Sequence, residues 1–113
     1  YVITHVINDN GRSKNASDFP VTVTGEDPSP SAFPGEIAPG VTVTLDPGDY
    51  SVTELADSDY VEILSPQCSG TIIAGQSVTC TIINDDVFPP VAPPPLPPPP
   101  PPNVSINYWQ ENP

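Results

Sequence analysis

The sequence predicts an all-β domain, then a stiff proline rod, then a lone terminal strand. Three observations carry this. Short runs rich in β-branched residues alternate between apolar and polar, and no stretch has a 3.6-residue period. Turn residues interrupt these runs at close spacing. From Pro89 to Pro102, eleven of fourteen residues are proline, which excludes both helix and central strand because proline lacks an N–H and fixes φ. Seven or so short strands in residues 1–88 mean a β-sandwich or barrel. The rod is residues 89–102 and the last strand lies in residues 103–113.

Residues 1–8, YVITHVIN, form the first expected strand. Asn8, Asp9, Asn10 and Gly11 turn the chain, since these residues tolerate left-handed φ. A polar loop follows, and residues 19–25 are the second strand, with Val21 and Val23 on one face. Residues 26–40 hold four prolines and two glycines among the short polar residues after Glu26, so a long irregular loop is expected. Val41, Val43 and Leu45 share a strand face. Asp46, Pro47, Gly48 and Asp49 then predict a type II turn, with glycine supplying positive φ. Residues 50–55 and 60–64 are further strands. Residues 76–86 are the last strand of the domain, with Val78, Cys80, Ile82 and Asn84 on one face.

The two cysteines, Cys68 and Cys80, lie symmetrically about a turn at Ile73, Ala74 and Gly75. In a hairpin of that register they face each other, within reach of a disulfide. One disulfide in so small a chain points to an oxidising, extracellular setting. Catalytic cysteine chemistry is a poor fit, since there is no Cys-x-x-Cys and the sole histidine, His5, is remote in sequence.

Charge excludes further classes. Fourteen acidic residues against two basic ones give a formal net charge of −12. Arg12 and Lys14 cannot build a basic patch, so nucleic acid and anionic membrane surfaces are not expected partners. No apolar run approaches the length of a membrane span, so no membrane insertion is expected. The chain holds no methionine and no signal-peptide pattern, and it opens inside an apolar-rich stretch, which reads as a processed or partial chain. Paired carboxylates are abundant only because acids are. No nucleophile elbow or ordered triad is present, so the expectation is not an enzyme.

In the tail, Val104, Ile106 and Tyr108 alternate with Asn103, Ser105 and Asn107, the two-residue period of a half-buried strand. At about 3.1 Å per residue the rod reaches roughly 43 Å. A domain of this size has a radius of gyration near 12 Å. The rod therefore carries its strand past its own domain, and the leading expectation is pairing with another copy of the chain; a disordered tail, a wall-spanning stalk and a strand that folds back are the alternatives. Trp109, the only tryptophan, extends the strand-donation segment. Two sequons, at Asn15 and Asn103, are candidate N-glycosylation sites, and hydroxylated prolines are candidate carriers of O-linked glycans.

The run GDYSVTEL at 48–55, Tyr60 after it, and CSGTIIAGQSVTCTIINDD at 68–86 resemble the prealbumin-like (transthyretin-like) Cna-B, SpaA and SdrD-B surface-protein repeats. The resemblance covers residues 1–87 and implies a seven-stranded Ig-like or prealbumin-like β-sandwich in adhesins, pilins or stalks. Many members join a Lys on the first strand to an Asn or Asp on the last, aided by a buried Glu. The resemblance places Glu54 and Asn84 at two of those positions and Thr4 at the third. The only lysine, Lys14, lies in the following loop, so no isopeptide is expected, and the disulfide takes over the stapling. Glu54 then needs Thr4 or Asn84 as a partner, since a lone buried carboxylate is costly.

The resemblance also sets Asn8, Asp9 and Asn10 beside Asn84, Asp85 and Asp86. Oxygen donors of this kind suit Ca²⁺, with Asp9, Asp85 and Asp86 as candidate ligands. The favoured expectation for them is a solvated acidic rim, with no cofactor. The leading function is a structural subunit of an extracellular fibre or surface stalk. The alternative is an adhesin-type module binding a protein or glycan.

Overall fold

The computed structural model describes residues 1–89 and 94–99. Seven strands form two sheets. They are β1 (Val2–Ile7), β2 (Pro20–Ser29), β3 (Ala32–Pro34), β4 (Thr44–Glu54), β5 (Tyr60–Leu64), β6 (Ser69–Ile72) and β7 (Cys80–Asp86). One sheet has the order β1-β7-β5 and the other β3-β2-β4-β6. Among the described residues the fold is all-β, with two short 3₁₀ turns, at Ala16–Asp18 and Pro66–Cys68.

The first and last strands of the domain run parallel, from Val2 opposite Cys80 to Ile7 opposite Asp85. A parallel pair cannot be joined by a tight turn, and here the intervening chain builds everything else. β7 is the central strand of its sheet, and its side chains alternate strictly. Cys80, Ile82, Asn84 and Asp86 are buried, whereas Thr81, Ile83 and Asp85 are partly exposed. Val2, Val21, Val23, Val52, Cys68, Cys80 and Ile82 meet as the core, drawn from both sheets. At one end, buried Phe19 packs edge-on against Tyr60, ring centroids 5.0 Å apart.

The chain at 35–41 runs beside β1 and occupies its outer edge. Thr4 N–H donates to Glu36 O, and Val2 and Val41 exchange both backbone bonds, each at 2.8 Å. Glycine permits this approach. A Cβ on Gly35 would sit 2.5 Å from Thr4 Oγ1, and one on Gly40 would collide with the Val2 carbonyl.

Three local expectations are corrected. Residues 26–34 are not an irregular loop: β2 continues to Ser29 and β3 returns beside it, with Val21 opposite Phe33. The Asp46–Pro47–Gly48–Asp49 run is not a reversal but part of β4. Its register against β2 shifts near Glu26, and Gly48 has φ +148°. Pro47 lacks an N–H for the ladder, and the irregularity accommodates it. A Pro-Gly pair reads as a turn only when its two arms pair with each other, and these pair with β2 and β6 instead.

The third correction concerns the cysteines. A turn does form around Ala74 and Gly75, where Gln76 N–H donates to Ile73 O at 3.1 Å. Its arms then diverge. β6 joins β4, Gly48 opposite Ile72, whereas β7 joins β1 and β5 in the other sheet. Cys68 and Cys80 are bonded, with Cα atoms 4.5 Å apart. The disulfide therefore ties the two sheets together rather than bracing one hairpin. It closes a loop with a sequence separation of 12, and cross-links of about this loop size contribute roughly 3 kcal/mol. Replacing both cysteines by serine should lower the melting temperature by about 12–24 °C at 4–8 °C per kcal/mol. Thermal unfolding followed by far-UV circular dichroism checks this.

Candidate functional site

Three clusters hold the residues that the sequence singled out. The first lies between the sheets. β4 ends at Glu54, and β7 presents Asn84 inward from the opposite sheet. Asn84, 2% exposed, donates Nδ2–H to Glu54 Oε2 at 3.1 Å. Burial pushes the Glu54 carboxyl up to about 7, opposed by the Asn84 hydrogen bond and reinforced by neighbouring Glu62. Asn84 is thus the partner that the sequence required for Glu54, and Thr4 is not. Thr4 is fully buried, and its Oγ1 has no hydrogen-bond partner among the described residues. Lys14 is engaged elsewhere, with its Nζ 2.5 Å from Asp57 Oδ2 on the surface.

The second cluster is acidic. Carboxylate oxygens of Asp9, Asp85 and Asp86 lie within 4.8 Å of one another. Asp86 is buried, and its oxygens accept backbone N–H groups from Asp9, Asn10 and Arg12 at 2.9–3.1 Å. Asn10 Nδ2 returns a bond to Asp86 O at 2.8 Å. Burial works to raise the Asp86 carboxyl, but the N–H groups of Arg12, Asn10 and Asp9 outweigh it and hold it below the usual range. Asp9 moves the other way, raised first by its hydrogen bond to Asp86 and then by burial and Asp85. Convergent N–H groups make an anion nest, and Asp86 fills it. A Ca²⁺ ion at six to eight oxygens would draw on Asp9 and Asp85 with Asp86 already committed to N–H donors. Asp86 thus anchors the loop after β1, whereas Asp85 Oδ1 is buried with no hydrogen-bond partner among the described residues.

Both cations and Tyr60 extend that anchor. Arg12 Nη1 lies 3.4 Å from Asp59 Oδ1. Tyr60 Oη accepts Lys14 N–H at 3.0 Å and donates to Asn8 Oδ1 at 2.5 Å. Sequence reasoning missed these roles, because the partners of Asp86 and Tyr60 are largely backbone atoms that carry no residue signature.

The third group is the tail. Residues 94–99 are exposed and belong to no strand or helix. Val104, Ile106, Tyr108, Trp109 and the sequon at Asn103 lie outside the described residues. Asn15 is exposed beside the first 3₁₀ turn, with its backbone N–H bonded to Asp18 Oδ2 at 2.8 Å. Comparison with protein-family models, curated proteins and solved structures gives no match.

Two outcomes follow from the first cluster. Thr4→Val removes a buried hydroxyl without a partner at nearly constant shape, so it should stabilise the fold by about 1 kcal/mol, measured by urea unfolding. Glu54 binds its proton more tightly folded than unfolded, so its contribution is fully present below about pH 4.5 and is lost as pH rises through about 7. Stability should therefore fall between pH 5 and 8, and Glu54→Gln should flatten that slope in urea titrations at each pH.

Proposed function

We propose that this chain is a structural subunit of an extracellular filament or surface stalk, joined head to tail by donation of the strand in residues 103–113. The observation that carries the reading is that, among the described residues, both sheets are supplied by residues 2–86. The sequence carries a further alternating apolar pattern at 104–108, beyond a run of prolines. Contacts that are the same from copy to copy and do not close generate an open filament, and strand addition to a sheet edge is a recurrent mode of recognition.

Magnitudes favour a folded partner. Burying Val104, Ile106 and Tyr108 yields roughly 1.5–3 kcal/mol each. Ordering the strand backbone costs about 1–2 kcal/mol per residue. For five residues these nearly cancel, so main-chain pairing to an existing edge decides the outcome. A rod already stiff loses little entropy on bridging two domains.

The disulfide supports an oxidising compartment. Among the described residues no helix is long and apolar enough to cross a membrane. We read the domain as a Cna-B-like sandwich in which Glu54 and Asn84 keep the isopeptide arrangement and Thr4 replaces the amine. Copies of itself are the partners, with glycans at Asn15 and Asn103 as covalent additions, and the reading assigns no catalysis.

Negative-stain microscopy tests it. The full chain should form long filaments, and a chain ending at Pro102 should remain discrete. Filaments of unchanged repeat from the shortened chain would reduce the rod to a spacer. A discrete full-length monomer that binds a glycan array would favour the adhesin reading.

A further inference from the structure

We propose that the groove between residues 41–45 and 76–80 is the acceptor for residues 104–108 of a second copy; this rests on the strand-donation reading above. The groove holds a cavity of about 290 Å³, well above the roughly 150 Å³ of an engineered dry core cavity. Val43, Leu45, Tyr50, Val52, Ile72 and Val78 are among the residues lining it. The void opens directly onto the core, since Val52 belongs to the buried cluster and Val43 and Leu45 pack against it.

Both rims offer main chain. Residues 42–43 and 76–79 belong to no strand or helix. Among the described residues, no backbone hydrogen bond reaches Val43, Ser77 or Thr79. Unpaired backbone beside an apolar slot is a template for an added strand. The occupant is then chosen by charge and by position.

No Asp or Glu lines the groove, although the chain carries fourteen. Residues 103–110, NVSINYWQ, are likewise uncharged. The charge at the rim is the Tyr1 α-ammonium, which already donates to Val78 O at 2.8 Å, and an uncharged strand brings no second charge to bury. The other free edges fit less well. β5 carries exposed Glu62 next to Glu54, and β3 is only three residues long.

Position selects a second copy. Tyr1 and Cys80 line the groove, so it lies at the start of β7. The chain leaves the domain after Asp86, at the other end of that seven-residue strand, about 20 Å away. A proline run of roughly 43 Å starting at that far end is about twice that distance, a length suited to reaching the groove of a second copy.

Hydrogen exchange of the full chain, with and without Ile106→Asp, tests the assignment. The described strands all lie within residues 2–86, and far-UV circular dichroism of the Ile106→Asp chain checks that the domain stays folded. In the wild-type polymer the amides of Val43, Ser77 and Thr79 should exchange more than about tenfold more slowly than in the Ile106→Asp chain, which should be monomeric. If Ile106→Asp is monomeric but the protection lost lies on another edge, such as β5, the groove assignment falls and strand donation stands. If Ile106→Asp polymerises like wild type, strand donation fails and the assignment with it. A wild-type monomer that protects these amides through Ile106 would make the occupant its own tail, overturning the second copy. A wild-type monomer with these amides open would overturn both readings.

Discussion

β7 is the constraint on which the rest of the domain depends. Its backbone is paired on both sides, parallel to β1 and antiparallel to β5. Each of its four buried side chains then fixes a different part of the molecule. Cys80 is bonded to Cys68, in the 3₁₀ turn that leads into β6 of the other sheet, and Ile82 fills the core. Asn84 satisfies Glu54 across the sandwich, and Asp86 gathers the backbone of the loop that follows β1. A one-residue slip would expose all four, because a strand turns alternate side chains to opposite faces. Few registers can satisfy a disulfide, a hydrophobic contact, a hydrogen bond and an anion nest together.

Much of this was legible in the sequence, and the failures share one cause. β-Branched content and alternation mark residues 1–8, 19–25, 60–64 and 76–86 as strands, and β1, β2, β5 and β7 lie there, although β7 begins only at Cys80. The same periodicity is silent on which sheet a strand joins. Cys68 and Cys80 were paired correctly through a hairpin that does not exist, since β6 and β7 separate into different sheets. Pro47 and Gly48 looked like a reversal, but the same residues also suit a bulge inside a strand. In the first cluster, Glu54 and Asn84 were found through their motif. The role of Asp86 was not, since its donors are the backbone N–H groups of Asp9, Asn10 and Arg12. The groove was invisible as well, because it arises from two segments that fail to pair.

Electrostatics sets a second constraint on any assembly. The domain uses both of its cationic side chains internally, Arg12 toward Asp59 and Lys14 toward Asp57. These contacts join the loop after β1 to the loop before β5. No surplus positive charge remains to meet the acids of a neighbour, so copies of net charge −12 repel at long range. Physiological salt screens this beyond about 8 Å. Cohesion between copies must therefore come from short-range apolar burial and main-chain bonds, for which an uncharged groove and an uncharged strand are suited.

The parallel pairing of β1 and β7 also has a mechanical meaning. In a head-to-tail chain, tension enters each domain at the pole where β1 and β7 begin and leaves where β7 ends. The two strands run along that line, so a pull tries to slide one past the other. Bonds loaded in this shearing direction share the force and must fail nearly together, unlike a hairpin that unzips one bond at a time. In the filament proposed above, the Cys68–Cys80 link would sit at the loaded pole and would pass part of the tension to the second sheet. The topology that closes the sandwich would then also serve as a tensile element.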